Sequence, residues 1–458
     1  MSYAHSMNTR LLLVVLFGVV LSAQERPNIL LIVSDDQGYG DASSYADTDV
    51  ETPVMDLVGR QGVRFTSFRV NPLCAPTRAS LLTGLYSLET GMWRGPSNPS
   101  QKPGPRPREL KSRVRLLPEY LKEADYATGI FGKWHLGYES PNTPNSRGFD
   151  EFFGFLSGAH PYRASPRNPF LRNGDAYPTR EHATDLFTDQ AIAFIRRNRE
   201  RPFFCYVPYN AVHGPLWTEQ SRKPSATPEW LAKYSDQGVA FPRRDYNAIL
   251  SHMDSRVGDL LATLDELGLE NKTLVIYLSD NGALIDKFPG NNGPLRGAKG
   301  QTYEGGIRVP AVMRWPGVIP AGIVSDAFAV HFDLFSTILE AAGADLPRSN
   351  GDYALKGVSL LDHLKSGGKA PLPSRLLFWD LFGKMAAAKG RWKLVGETPN
   401  HHGDFAKAAE VIRAHRFQLY DLEADLGETT DLASDYADIY RELHGGLLSW
   451  MLAVEASY

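Results

Sequence analysis

Cysteine is nearly absent: Cys74 and Cys205 are the only two in 458 residues. One disulfide between them is the most that could form. The chain is therefore no disulfide-stapled scaffold and must stand on a hydrophobic core. An excess of charge of one sign is missing too. Lysine and arginine number 49 against 52 aspartates and glutamates, for a formal net charge of −3. With no long basic run, the footprint of a nucleic-acid binder is lacking, and any basic site for an anionic substrate has to be local. Long apolar runs are also lacking, with one exception. Leu11–Leu21 follows Arg10 and precedes the small residues Ser22 and Ala23. This run is too short to span a bilayer and reads as a secretory signal, residues 1–23, cleaved near Ala23. It implies export, periplasmic or extracellular, without stable membrane insertion. No cysteine follows it, which excludes a lipoprotein anchor.

What is present is ordinary globular material, 43% hydrophobic and 22% charged. Apolar β-branched runs alternate with helical patterns. Asn28–Val33, Tyr126–Phe131, Pro202–Val207 and Thr273–Leu278 read as strands buried on both faces. Thr52–Gly62, with Met55, Leu57 and Val58 inward, Leu117–Ala124, Thr184–Arg197 and Tyr246–Leu267 read as helices, and Val63–Phe68 as a further strand. That alternation predicts an α/β fold, a large doubly wound and mostly parallel sheet flanked by helices. The Pro-, Gly- and Arg-rich stretch 92–115 reads as a surface loop near the site mouth, and the aromatic run 147–159 as packing beneath it. After about Gly367 the composition shifts to short strands and turns, closing with a helix over 436–454. Residues 24–367 thus form the main domain, and 368–458 a small C-terminal antiparallel sheet capped by a helix.

Polar residues collect where these strands end, which is where open α/β sheets bind ligands. Asp35 and Asp36 follow the first strand, Lys133 and His135 the second, His213 the third, and Asp280 with Asn281 the fourth. Cys74-Ala75-Pro76-Thr77-Arg78 opens another helix: Pro76 suits its first turn, and Cys74 falls at the end where N–H groups and the dipole favour an anion. Lys299 follows in a Gly/Asn-rich loop. The donors divide into two sets. Asp35, Asp36, Asp280 and Asn281 offer hard oxygens suited to Ca²⁺ or Mg²⁺. Arg78, Lys133, His135, His213 and Lys299 suit a tetrahedral oxyanion. Each has a plainer reading when taken singly: a solvated turn, a lysine in a glycine loop, a structural histidine before Gly-Pro.

Taken together, Asp35-Asp36, Cys74-x-Pro-x-Arg78, Gly132-Lys133-Trp134-His135, His213-x-Pro215, Asp280-Asn281-Gly282, and Lys299 with Glu304-Gly305-Gly306 resemble the sulfatase family of the alkaline-phosphatase-like superfamily, over nearly the whole mature chain. The resemblance implies a calcium-dependent sulfatase whose Cys74 is oxidised to formylglycine, the hydrated aldehyde being the nucleophile. It implies one Ca²⁺ held by Asp35, Asp36, Asp280 and Asn281, with Asp280 a further candidate to take the nucleophile's proton. Arg78 and Lys133 would hold the formylglycine, and His135 would take the proton when sulfate is expelled. Lys133, His213 and Lys299 would bind sulfate, with His213 or Lys299 protonating the leaving alcohol, and Ser157, His160 and Arg296 would contact substrate. Further sugar contacts are expected from Trp93, Tyr162, Arg163, Asn291 and Asn292. The implied partners are a sulfated carbohydrate or aryl sulfate and a formylglycine-generating or other sulfatase-maturing enzyme. A phosphoester or phosphonate hydrolase of the same superfamily, or an inactive sulfated-glycan-binding protein, are the alternatives.

Overall fold

The computed structural model describes residues 26–97, 108–218, 223–285 and 288–457. The proposed signal peptide lies outside them. The run Asn28-Ile-Leu-Leu-Ile-Val-Ser34 is a strand buried along its whole length. Its alternate side chains explain why no residue in it is polar-facing: Ile29, Leu31 and Val33 enter one apolar core, Leu30 and Ile32 another. A strand with a core on each face has no solvent side to mark, so it reads as a continuous apolar run.

This strand pairs in parallel with Thr273–Ser279 on one side and Phe203–Pro208 on the other. Ala127–Lys133 and Glu151–Phe155 extend the parallel block beyond Phe203–Pro208. The full sheet has ten strands. Its outer parts turn antiparallel: Ala311–Arg314 lies between Thr273–Ser279 and Val63–Phe65, while Phe170–Arg172 and Asp175–Tyr177 close the other edge. The first core is covered by the helices Cys74–Thr83, Leu117–Glu123 and Asp333–Ala341; the second by Pro53–Arg60, Ala183–Arg197 and Arg243–Glu266. The expected doubly wound, mostly parallel architecture is therefore present, and the carboxyl ends of five adjacent strands share one edge.

Beyond this sheet, Leu377–Leu381, Lys384–Lys389, Trp392–Glu397 and Gln418–Asp421 form a four-stranded antiparallel sheet over a third core. Two helices cover it, not the one expected. Ala437–Ala456 matches the expectation, whereas Phe405–Ala414 was missed; it starts where Asp404 Oδ1 caps the Lys407 N–H at 3.0 Å. Leu57 is 37% exposed, not inward, because the short helix turns only Met55, Val58 and Gly59 to the core. The strand expected over 63–68 is two: Val63–Phe65 joins the large sheet, and Phe68–Arg69 pairs with Ala329–Val330. Within 92–115, Met92, Trp93, Leu110 and Val114 are buried, so that stretch is no simple surface loop. No helix among the described residues is long and apolar enough to cross a membrane.

Candidate active site

The helix Cys74–Thr83 is buried at every position and begins at Cys74. Pro76 lies within the first turn, where its missing N–H leaves no bond unmade. At the other end Gly84 takes a left-handed φ of 71° and returns its N–H to Ser80 O at 2.9 Å. Both cysteines are free. Cys205 is sealed in the core on its strand; Cys74 faces a polar cluster.

That cluster is built from the strand ends. Asp35 N–H donates to Ala211 O (2.8 Å), Val212 N–H returns to Asp35 O (2.7 Å), and Asp280 N–H donates to Ser34 O (3.1 Å), so three strands are laced together just past their last residues. Asp36 and His135 both hold left-handed backbones, φ 64° and 60°. Non-glycine residues adopt this region at a cost, and such strain concentrates at functional sites. Here it turns both side chains inward. The Lys299 loop is locked by Lys299 N–H to Ala283 O (3.0 Å) and Gly300 N–H to Pro72 O (2.8 Å). Gly282 must be glycine, since a Cβ there would lie 1.8 Å from Gly305 O.

Three acids meet three bases. Lys133 Nζ lies 2.6 Å from Asp35 Oδ2, Arg78 Nη2 2.7 Å from Asp280 Oδ2, and Lys299 Nζ 2.5 Å from Asp36 Oδ1. Arg78 also donates to Lys133 O (3.1 Å), and Asn281 Nδ2 to Asp36 Oδ1 (2.7 Å). His213 Nε2 stands 3.8 Å from Asp36 Oδ2, and His135 Nδ1 3.3 Å from Cys74 Sγ. Burial pushes the Asp36 carboxyl up, but Lys299 and His213 outweigh it and hold it well below the usual range. Burial, with Asp35 nearby, raises Asp280 despite Arg78. Burial and the surrounding cations, Lys133 first, hold His135 well below its ordinary value, so its imidazole is neutral. Burial also raises the Cys74 thiol, against Lys133 and Lys299. Left as a plain cysteine it is a protonated, poor nucleophile.

Two buried acceptors, Asp35 Oδ1 and Asn281 Oδ1, have no hydrogen-bond partner. Orphaned buried oxygens are costly. Asp35 belongs to two groups whose ligand atoms come within 4.8 Å of one another, one with Asp36 and His213 and one with Cys74 and Asp280, and Asn281 adjoins them through its Nδ2 on Asp36 Oδ1. Convergent, unpaired, hard oxygens fit a divalent cation of the Ca²⁺ or Mg²⁺ kind.

Other expected contacts are turned elsewhere. His160 is packed between Phe155 and Phe170, at 5.1 and 4.5 Å, with Nδ1 on Pro161 O; it belongs to the core and not to the substrate. Arg296 donates to Tyr420 Oη and Glu428 O and stacks over Tyr303, tied to the C-terminal sheet. Ser157 Oγ donates to Ala159 O (2.7 Å), although its neighbour Gly158 lies against the His135 ring. Tyr162 braces the His213 turn through Asn210 O and His213 O, and Trp93 is buried against Phe382. Arg163 donates to Arg180 O (3.1 Å). Asn291 and Asn292 hold their own loop, through Asp41 and Ala283. Asp41 was missed: it accepts from Gly38 and Asn291 N–H, from Tyr246 Oη and from Arg243, and so fixes the loop carrying Asp35 and Asp36. No local signal pairs it with a tyrosine 205 positions away.

The same combination of fold and site recurs in known proteins. The sulfatase family model matches residues 27–344. N-acetylgalactosamine-6-sulfatase of Sus scrofa is 35% identical over 399 residues, covering 82% of this chain and 72% of its own; the Homo sapiens protein of that name is 34% identical, covering 75% and 67%. The crystal structure of Ps i-CgsB in complex with k-i-k-neocarrahexaose superposes with a TM-score of 0.81 at 28% identity, covering 93% of each chain. The matches span the sheet, the cysteine helix and the strand-end cluster alike: the chain belongs to the sulfatase family and is a sulfuric ester hydrolase.

Proposed function

We propose that this chain is an exported, calcium-dependent hydrolase of sulfate esters on carbohydrate, working through formylglycine at position 74. The relatives named for an N-acetylgalactosamine 6-sulfate and the neocarrahexaose-bound structure support a sulfated sugar as substrate. The observation that carries the reading is the pair of unpaired, buried oxygens, Asp35 Oδ1 and Asn281 Oδ1, with Asp35 grouped with Cys74 and Asp280 and Asn281 bonded to Asp36. Residues 24–367 are the catalytic domain in this reading, and 368–458 a supporting subdomain.

Asp35, Asp36, Asp280 and Asn281 would hold the cation. When present, the cation supplies positive charge to sulfate and nucleophile oxygens, and formylglycine supplies a hydrated aldehyde with one hydroxyl to attack sulfur and one to expel sulfate afterwards. The chain's own residues do the rest. Asp280, raised by burial, takes the attacking hydroxyl's proton at Oδ1, the oxygen not paired with Arg78. Arg78 and Lys133 orient residue 74 from the strand-end side. Lys299 is held above its ordinary pKa by Asp36, against the opposing pull of burial; it stays cationic and serves as a fixed charge for a sulfate oxygen. His213, 24% exposed at the outer lip, is placed to protonate the departing alcohol at Nε2. His135, neutral at Nδ1 beside position 74, receives the proton as sulfate leaves.

The test is peptide mass spectrometry across Cys74 on protein matured with a formylglycine-generating enzyme, alongside release of sulfate before and after chelation. A formylglycine mass with chelator-sensitive release is expected. Sulfate release from protein with wholly unmodified Cys74 would overturn the nucleophile. Unmodified Cys74 without release moves the chain to the sulfated-glycan-binding alternative.

A further inference from the structure

Two glycines close on the ring of His135. A Cβ at Gly158 would lie 2.5 Å from Nε2, 2.6 Å from Cε1 and 3.2 Å from Cδ2, and one at Gly95 would lie 3.1 Å from Nε2. The other ring nitrogen, Nδ1, stands 3.3 Å from Cys74 Sγ. Neither glycine has a left-handed backbone. Conformation therefore does not call for glycine at 95 or 158; the imidazole is what leaves no room for a side chain.

The stretch carrying Gly158 is fixed on both sides. Ahead of it, Trp134 N–H donates to Phe155 O (2.9 Å) and His135 N–H to Leu156 O (3.1 Å). Behind it, Asn210 Nδ2 donates to His160 O (3.3 Å), and the His160 ring is packed between Phe155 and Phe170. The segment that limits the His135 ring is thus bonded to the His135 backbone itself, so ring and limit keep one register. Carbon atoms in contact sit about 3.5 Å apart, so a methyl at 158 would drive the ring back by roughly 1 Å. The imidazole is rigid, and Nδ1 would move with Nε2. Because the ring ends a side chain, it can shift while the strand end stays where it is.

We propose that Gly158, with Gly95 in a lesser part, is a positioning residue for the reaction: its bare Cα sets the place of the His135 imidazole and so aims Nδ1 at position 74. This rests on the reading of His135 above, as the group that receives the proton when sulfate leaves. The ring's position can also be observed without turnover.

Hydrolysis of 4-nitrophenyl sulfate would be compared for matured wild type, Gly158→Ala, Gly95→Ala, His135→Ala and the Gly158→Ala/His135→Ala double variant, beside crystal structures of unmatured wild type and Gly158→Ala. Gly158→Ala should lower kcat about 10²-fold, the loss that a misplacement of about 1 Å brings. KM should fall in parallel, keeping kcat/KM within about threefold and giving a burst of 4-nitrophenol, because the slowed step follows departure of the alcohol. Gly95→Ala, with the longer contact, should lose less. In the His135→Ala background Gly158→Ala should change kcat by less than about twofold, since residues that act through one contact are not additive. The crystal structures should show the imidazole drawn off Cys74 in Gly158→Ala with the strand end in place. Wild-type kinetics in Gly158→Ala, an equal loss in both backgrounds, or an unmoved ring overturns the proposal. Should Gly158→Ala fail to fold, the double variant decides, since it lacks the clashing ring: recovered folding upholds the contact, and continued misfolding overturns it. A displaced ring together with no turnover by wild type, or with full turnover by His135→Ala, upholds the positioning and removes only the proton-transfer reading.

Discussion

Two of the buried clusters of charge in this molecule differ in how their acids and bases are matched. In one, Glu304 accepts from Arg69 at 3.1 and 2.7 Å and from Lys393 at 2.9 Å, with Arg308 at 3.4 Å; Glu428 faces the same Lys393 at 2.9 Å and takes the Glu304 N–H at 2.7 Å. Arg69 and Lys393, from two different sheets, close on Glu304 between them. The first cluster thus sets two acids against three bases; in the other, around Cys74, three acids meet three bases, and Asp35 Oδ1 and Asn281 Oδ1 stay without partners. The first cluster is a clamp between the small Phe68–Arg69/Ala329–Val330 sheet and the C-terminal sheet. The second is a receptacle. Buried charge alone therefore does not mark function here; the Cys74 cluster is set apart by Asp35 Oδ1 and Asn281 Oδ1 lying open beside the left-handed Asp36, whereas Glu428 Oε1 in the first cluster lies 2.9 Å from Lys393 Nζ.

The comparison can be broken in several ways. Cys74→Ala should lower kcat by at least about 10⁴-fold, as loss of a nucleophile does. Thermal unfolding should barely move, and Cys205→Ala should keep full turnover; a Cys74→Ala protein retaining a tenth of the activity would contradict the site. Next, Lys393→Met should cost about 3–5 kcal/mol of stability, because two carboxylates lose a buried cation. The folded fraction should still turn over within a few-fold of wild type, measured by denaturant titration beside kinetics. Lys299→Ala should do the reverse: kcat down about 10²–10³-fold, with calcium retention by equilibrium dialysis near wild type. If these two variants exchanged their effects, clamp and receptacle would have been assigned the wrong way round.

A smaller effect concerns pH. Asp254 caps the helix Pro53–Arg60 by accepting the N–H groups of Val54 and Met55, and burial raises its pKa to about 7. Its unfolded value is about 3.9. The folded state thus holds the proton more tightly, so this contribution is complete below about pH 4 and is lost as pH rises to about 7. Unfolding free energy followed over that window should slope downward with pH, and Asp254→Asn should flatten the slope. A slope unchanged in the variant would take Asp254 out of the pH response.

The sequence was most legible where one physical rule dominated. Strands buried on both faces are continuous apolar runs, so Asn28–Ser34 and Thr273–Ser279 were visible within a residue. The strand-end donors were visible because open sheets bind at that edge, and the structure brings Asp35, Asp36, Cys74, Arg78, Lys133, His135, His213, Asp280, Asn281 and Lys299 into one cluster. Contacts in the loops were not legible. His160 and Arg296 look like free polar groups in sequence, but aromatic packing claims one and the C-terminal sheet the other. Leu57 sits on a helix too short for periodicity to decide its face. The helix Phe405–Ala414 hides in an alanine-rich run whose apolar face shows only against the third core.

Local order determined the alternation of strands and helices, the left-over polar residues at each strand's end and the hard-oxygen character of the donor set. These follow from side-chain chemistry and periodicity within a dozen residues. Tertiary structure alone decided which oxygens remain unpaired and which carboxylate each buried lysine meets. Those depend on partners distant in the chain, 89 positions apart for Lys393 and Glu304 and 202 for Arg78 and Asp280, whose mutual burial no local pattern encodes.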